Sequence, residues 1–136
     1  MNNLTVTITS FSFKKGYPVD NSGNGGGFVF DCRFLNNPGR YEQYKQLTGL
    51  DQSVIDFLKS ESNIDWFVRD VYRIVNPAIE NYVERNFESL QVGFGCTGGQ
   101  HRSVYSAENL GRIIKENWPE VNVRIIHREQ NIEKTL

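Results

Sequence analysis

The chain has 136 residues, with 15 Lys+Arg against 16 Asp+Glu and a formal net charge of −1. Hydrophobic residues make up 38%, aromatics 12% and charged residues 23%, which fits one soluble globular domain with its own core and excludes a disordered chain. The near-balance of charge argues against a general binder of nucleic acid or acidic membrane, which would be distinctly basic.

Residues 4–13 (LTVTITSFSF) alternate apolar side chains with Thr and Ser, the period of a strand with one buried face. Residues 14–27 (KKGYPVDNSGNGGG) contain five glycines together with Pro18, Asp20, Asn21 and Asn24, and read as a loop. Its 21–27 stretch lacks the following helix and Lys of a phosphate cradle and reads as a flexible loop or lid. Residues 28–34 (FVFDCRF) open with a continuous apolar run, as in a strand covered on both faces. Residues 36–51 form a long loop. Asp51 or Ser53 then caps a short helix carrying Val54, Ile55, Phe57 and Leu58.

A longer helix is expected from Asn63 or Asp65 to about Phe87, with Ile64, Phe67, Val68, Val71, Ile74, Val75 and Ile79 on one face. Pro77 is expected to kink it or start a new segment. Residues 88–95 (ESLQVGFG) read as a third strand, and a glycine-rich turn follows at 96–100. Residues 101–117 read as a helix with Val104, Ala107, Leu110, Ile113 and Ile114 inward. Residues 121–126 (VNVRII) read as a fourth strand.

The order β-β-α-α-β-α-β predicts an α/β layered fold: a mainly parallel four-stranded sheet flanked by helices. One domain spans the chain, with a core at about 4–128 and a polar tail at 129–136. Trp66 and Trp118, at helix ends, read as caps on the core.

No apolar run approaches the roughly 18–20 residues of a membrane helix. The start, Met1-Asn2-Asn3-Leu4-Thr5, has neither the basic nor the apolar region of a signal peptide. Two cysteines, Cys32 and Cys96, are too few for a disulfide scaffold, so a cytoplasmic protein with free thiols is expected. The two His and two Cys lack metal-ligand spacing, and neither a metal nor a cofactor is expected.

In parallel sheets, ligands bind outside the carboxyl ends of the strands. Lys14-Lys15-Gly16 follows the first strand. Asp31-Cys32-Arg33 ends the second, Gly95-Cys96-Thr97-Gly98-Gly99-Gln100-His101-Arg102-Ser103 follows the third, and His127-Arg128 follows the fourth. These groups should meet on one rim.

The sharpest motif is GCTGGQHRS. Backbone N–H groups of a turn leading into a helix point at an anion, and the helix dipole favours negative charge. Gly98 and Gly99 permit close approach and positive φ. Arg102 offers a fork for phosphate or carboxylate, and Thr97 and Ser103 offer hydroxyls. His101 starts a helix, where the dipole disfavours a cation, so a neutral hydrogen-bonding role suits it.

Cys96 and Arg102 also have the C-x5-R spacing and resemble the phosphate loop of cysteine-dependent phosphatases. Cys96 would be the nucleophile, activated by Arg102 and the helix N-terminus, with Asp31 or His127 as general acid. This family usually has His where Gly95 stands, and no Trp-Pro-Asp loop occurs.

A second resemblance spans about 125 residues. FSFKKGYP (11–18), FVFDCRFLNNP (28–38), LTGLD (47–51), GCTGGQHRSV (95–104) and the strand ending in His127-Arg128 occur in this order. Together they resemble the C-terminal domain of the RapZ family of RNase adapters and nucleotide-binding proteins. The family's N-terminal domain carries a Walker A loop, and no G-x-x-x-x-G-K-[ST] occurs here.

The resemblance implies an oligomerising, regulatory domain that senses an amino-sugar phosphate, glucosamine-6-phosphate, and in some members binds small RNA and protein partners. It implies ligand contacts at Asp31, Arg33, Thr97, Gly98, Gly99, Gln100, His101, Arg102 and Ser103, with His127, Arg128 and Lys14 secondary. Where relatives often carry His and an aromatic residue, this chain has Gly39-Arg40. Where RNA-binding relatives end in a basic tail, it ends NIEKTL, which thins the surface that RNA affinity requires. An RNA or protein adapter module therefore stands as a third reading.

Overall fold

A computed structural model describes residues 3–23 and 26–136. Asn24 and Gly25, in the middle of the loop read as a lid, lie outside the described residues, as do Met1 and Asn2. The elements run β1 (Thr5–Ser12), β2 (Gly27–Asp31), α1 (Gln52–Glu61), α2 (Ile64–Glu84), β3 (Ser89–Cys96), α3 (Arg102–Asn117), β4 (Asn122–His127) and β5 (Ile132–Thr135). The five strands lie in the order β2-β3-β1-β4-β5. The pairs β2–β3, β3–β1 and β1–β4 are parallel, and β5 runs antiparallel to β4.

Val6 and Ile8 of β1, Val92 and Phe94 of β3, and Val123 and Ile125 of β4 share one sheet face. They join one buried cluster with Val54 and Leu58 of α1, Val68 and Val75 of α2, and Leu110 and Ile114 of α3. All three helices therefore cover the same face. The other face is covered near its upper end by the loop after β1: Phe11 is fully buried, with Phe13 at 5.0 Å and Tyr17 at 6.2 Å between ring centroids.

Four expectations need correction. The sheet has five strands, because 132–135 of the expected polar tail forms β5. Ile-Glu-Lys-Thr holds one large apolar residue, and its strand is held by side-chain pairs such as Arg124 Nε to Glu133 Oε1 at 2.6 Å. β2 is an edge strand and not covered on both faces: Phe28 and Phe30 pack on the core while Val29 is 51% exposed.

Pro77 starts no new segment, and α2 runs on through it. The hydrogen bond it cannot donate would go to the Arg73 carbonyl, and both residues lie on the exposed face, open to solvent. Trp66 does not cap the core. It is 68% exposed, with the Arg69 guanidinium 5.7 Å from its ring. Trp118 does pack on the core, and its indole N–H donates to Asn76 Oδ1 at 2.9 Å.

Candidate functional site at the carboxyl rim of the sheet

Because β1 to β4 are parallel, Ser12, Asp31, Cys96 and His127 end their strands on one rim. Cross-links tie these ends together. Ser12 Oγ donates to the Thr97 carbonyl at 2.6 Å, and the Cys32 N–H donates to the Gly95 carbonyl at 2.7 Å. Gln130 Nε2 donates to the Gly99 carbonyl at 2.9 Å. Two clefts among the described residues are lined by none of these strand ends. One of about 350 Å³ is bounded by Phe34, Asn36 and Ser60, and one of about 490 Å³ lies beside Arg112 and Leu136. The interest of the rim is therefore its donors rather than its depth.

β3 feeds the turn at 97–101, and α3 leaves it. Among the described residues, no backbone carbonyl accepts from the amide N–H groups of residues 98–103. A helix's first amides have no partner within the helix, and here the turn extends that run. Gly99 has φ +64°, and a Cβ there would stand 2.7 Å from Phe11 C and Ser12 N, so both conformation and space require glycine. Thr97 and Gly98 are exposed.

The side chains that follow turn inward. Gln100 Nε2 donates to the carbonyls of Lys45 and Leu47, each at 2.7 Å. His101 is buried and its Nε2 donates to the Tyr44 carbonyl at 2.9 Å. Burial holds its pKa below the usual histidine value, so the ring is neutral. Arg102 is 4% exposed, and its Nη1 donates to the carbonyls of Arg33 and Leu35, both at 2.9 Å. Three adjacent side chains thus staple the 33–47 loop around the turn, while their own amides stay unpaired. Arg102 Nε is buried with no hydrogen-bond partner. Such orphaned donors are rare in folded proteins.

Asp31 and Arg33 sit exposed on the rim and engage each other. Arg33 Nη2 donates to Asp31 Oδ2 at 2.7 Å, and Arg33 Nε donates to Oδ1 at 2.9 Å. That pairing holds the Asp31 carboxyl below the usual range, with Arg102 adding a smaller pull. The Arg33 guanidinium lies 4.1 Å from the centroid of the Phe13 ring. Lys14, which follows β1, is exposed.

His127 belongs elsewhere. It is fully buried, with Ser10 Oγ 2.7 Å from Nδ1 and Glu108 Oε2 2.7 Å from Nε2. Both its nitrogens are used within the protein, so it braces β4 against β1 and α3 rather than facing a ligand. Burial alone would raise the Glu108 carboxyl. Hydrogen bonds from His127 and Lys134 outweigh that and hold it below the ordinary carboxylate range.

The sequence reading placed Lys15 on the rim but missed Ser10, Ser12, Glu108, Glu129 and Gln130. Glu129 directly follows His127-Arg128, and that adjacency was the available signal. Ser12 lies inside FSFKKGYP without having been singled out, and the others come to the rim or its floor from positions that carry no motif.

Cys96 is 2% exposed and belongs to the hydrophobic core, its Sγ 3.2 Å from Ser103 Oγ. The C-x5-R spacing is present, but the thiol sits beneath the turn, where it has no open approach to phosphorus. Cys32 is likewise free and buried, and burial pushes its thiol up, with Cys96 adding to the effect. Among the described residues, no group of three or more His, Cys, Asp or Glu could hold a metal ion, and no helix is long and apolar enough to cross a membrane.

A family model described as the RapZ C-terminal domain matches residues 4–131. The chain is 42% identical over 127 residues to a nucleotide-binding protein of Pseudoalteromonas translucida, covering 93% of this chain and 43% of that one. It is 36% identical over 131 residues to a nucleotide-binding protein of Thermotoga neapolitana, covering 96% and 43%. It is 40% identical over 121 residues to one of Marinobacter nauticus, covering 89% and 40%. The chain thus spans about two-fifths of the length of these curated relatives. With a match that runs from Leu4 to Asn131 and takes in every strand end of the rim, the chain belongs to the RapZ C-terminal domain family.

Proposed function

We propose that this domain binds a small phosphorylated metabolite, an amino-sugar phosphate such as glucosamine-6-phosphate, in the cytoplasm, and that binding serves a regulatory or adapter role toward a protein partner. The observation that carries this reading is the run of unpaired amides at 98–103 with the orphaned Arg102 Nε beside it. Oriented N–H groups at a helix N-terminus, with a guanidinium, match a phosphate's oxygens. Asp31, kept ionised by Arg33, offers a carboxylate on the same rim for the sugar's ammonium and hydroxyls.

Titration calorimetry with glucosamine-6-phosphate, glucose-6-phosphate and inorganic phosphate tests it. The wild-type chain is expected to bind the amino-sugar phosphate more tightly than glucose-6-phosphate. Arg102→Lys, which keeps the charge and loses the fork, is expected to weaken binding at least tenfold, about 1.4 kcal/mol, while circular dichroism shows a folded chain. Absence of heat with every phosphorylated compound, or affinity indifferent to Arg102→Lys, overturns it.

A further inference from the structure

Glu129 occupies the place of a bound anion. It lies in the short turn Arg128–Gln130 between β4 and β5. Its Oε2 accepts from the Ser12 N–H at 2.7 Å and from Arg128 Nη2 at 2.8 Å and Nε at 3.1 Å. Its Oε1 stands 3.7 Å from Lys15 Nζ. The side chain is only 10% exposed. Burial on its own would raise this carboxyl. The Ser12 amide, Arg128 and Lys15 outweigh that and hold it below the ordinary range.

The cradle is built by the fold and not by sequence neighbours alone. β4 pairs with β1 as far as Ser10 opposite His127, so the Ser12 amide projects past the end of that ladder. A backbone donor there needs an acceptor from outside the sheet. Arg128 is fixed from the other side, its guanidinium 5.5 Å from the centroid of the Phe11 ring. One amide and two cations therefore converge on two carboxylate oxygens, a donor set that phosphate or carboxylate satisfies equally. The cradle adjoins the turn at 97–101, since a Cβ on Gly99 would stand 2.7 Å from Glu129 Cγ.

We infer that the end of β1 is an oxyanion site which the chain fills with its own Glu129, and that a ligand's phosphate or carboxylate group enters by exchanging with that side chain. The ligand chemistry leans on the function proposed above, whereas the site itself stands on Ser12, Lys15 and Arg128. Exchange with a carboxylate conserves charge in the cradle, and a phosphate group, at about −1.5 to −2 near pH 7, brings more negative charge to the same donors than Glu129 takes away. The turn that carries Glu129 leads directly into β5, so its exit bears on the edge strand.

The test is calorimetric titration of the full chain with inorganic phosphate at low ionic strength. Glu129→Ala empties the cradle and is expected to raise the phosphate association constant at least tenfold. Adding Arg128→Ala to that variant should remove the gain. Glu129→Gln keeps the side chain's size and should give a smaller gain of the same sign, and it serves if the alanine variant does not fold. Glu116→Gln, which removes an exposed carboxylate elsewhere on α3, should leave phosphate affinity unchanged. Folded Glu129 variants that bind phosphate no more tightly than wild type, a gain that survives Arg128→Ala, or an equal gain in Glu116→Gln overturns the inference. A gain that depends on Arg128 while Arg102→Lys leaves amino-sugar phosphate binding intact would sustain this site and overturn the function proposed above.

Discussion

Two turns on the same rim handle negative charge in opposite ways. Among the described residues, no group accepts from the run of amides at the turn 97–101 or from its buried guanidinium nitrogen. The turn at 128–130 presents Arg128 and faces Lys15 and the Ser12 amide, and the chain engages all three with Glu129. Both lie against Gly99. A donor set left open costs stability that the rest of the fold must offset, whereas a donor set filled by an internal carboxylate costs affinity for any outside anion. The first arrangement suits a ligand site held ready, and the second suits a site with a resident competitor.

The comparison breaks most strongly at its floor. His127→Ala removes a buried hydrogen bond to Ser10 and a partly buried one to Glu108, leaves Glu108 with Lys134 alone, and opens a cavity under the filled turn. A loss of about 3 kcal/mol in urea unfolding is expected. A loss under about 1 kcal/mol would mean that this network does not brace β4.

Gly99→Ala strikes the point where the turns touch. The positive φ and the overlap with Phe11 and Ser12 backbone are expected to cost about 2 kcal/mol in thermal unfolding. Phosphate affinity should fall with it, because both turns must shift. A neutral result would show that the two turns move independently.

The smallest effect separates the turns by pH. His101 staples only the open turn, and burial lowers its pKa, with Tyr44 and Leu47 carbonyls and Asp51 opposing and Arg102 assisting. The unfolded chain then binds the proton first. The stabilisation is therefore fully present above about pH 6.5 and is lost as pH falls from there through the lower folded value. The urea midpoint of the wild type should drop between pH 7 and pH 5, and His101→Gln should flatten that slope. An unchanged slope would show that His101 is not held neutral. The lowered carboxyls Asp31, Glu108 and Glu129 act with the same sign at lower pH, above which their stabilisation is complete.

Much of the architecture was legible because periodicity reports burial. Val6 and Ile8, or Val68, Val71, Val75 and Ile79, repeat at the spacing of the element they form. β5 was not legible, because its stabilising partners, Arg124 and Glu108, lie on other elements. The edge position of β2 was hidden by Phe28 and Phe30: a run with three apolar residues looks the same whether Val29 meets a helix or water. Trp66 misled for a related reason, since an aromatic at a helix start carries no sign of which way the helix faces.

Sequence by itself determined the family, the order of the elements from β1 to β4 and the gathering of chemistry at the strands' carboxyl ends. Those follow from local pattern and from motifs such as GCTGGQHRS. Tertiary structure alone decided what each polar group does there. Gln100, His101 and Arg102 read as ligand contacts, yet their side chains hold the 33–47 loop, and what remains open is their amides and Arg102 Nε. His127 became a brace and Glu129 an internal anion. The physical reason is that a polar group's role is set by the partner it finds, and Ser12 and Glu129, 117 residues apart in the chain, become partners only once the sheet has assembled.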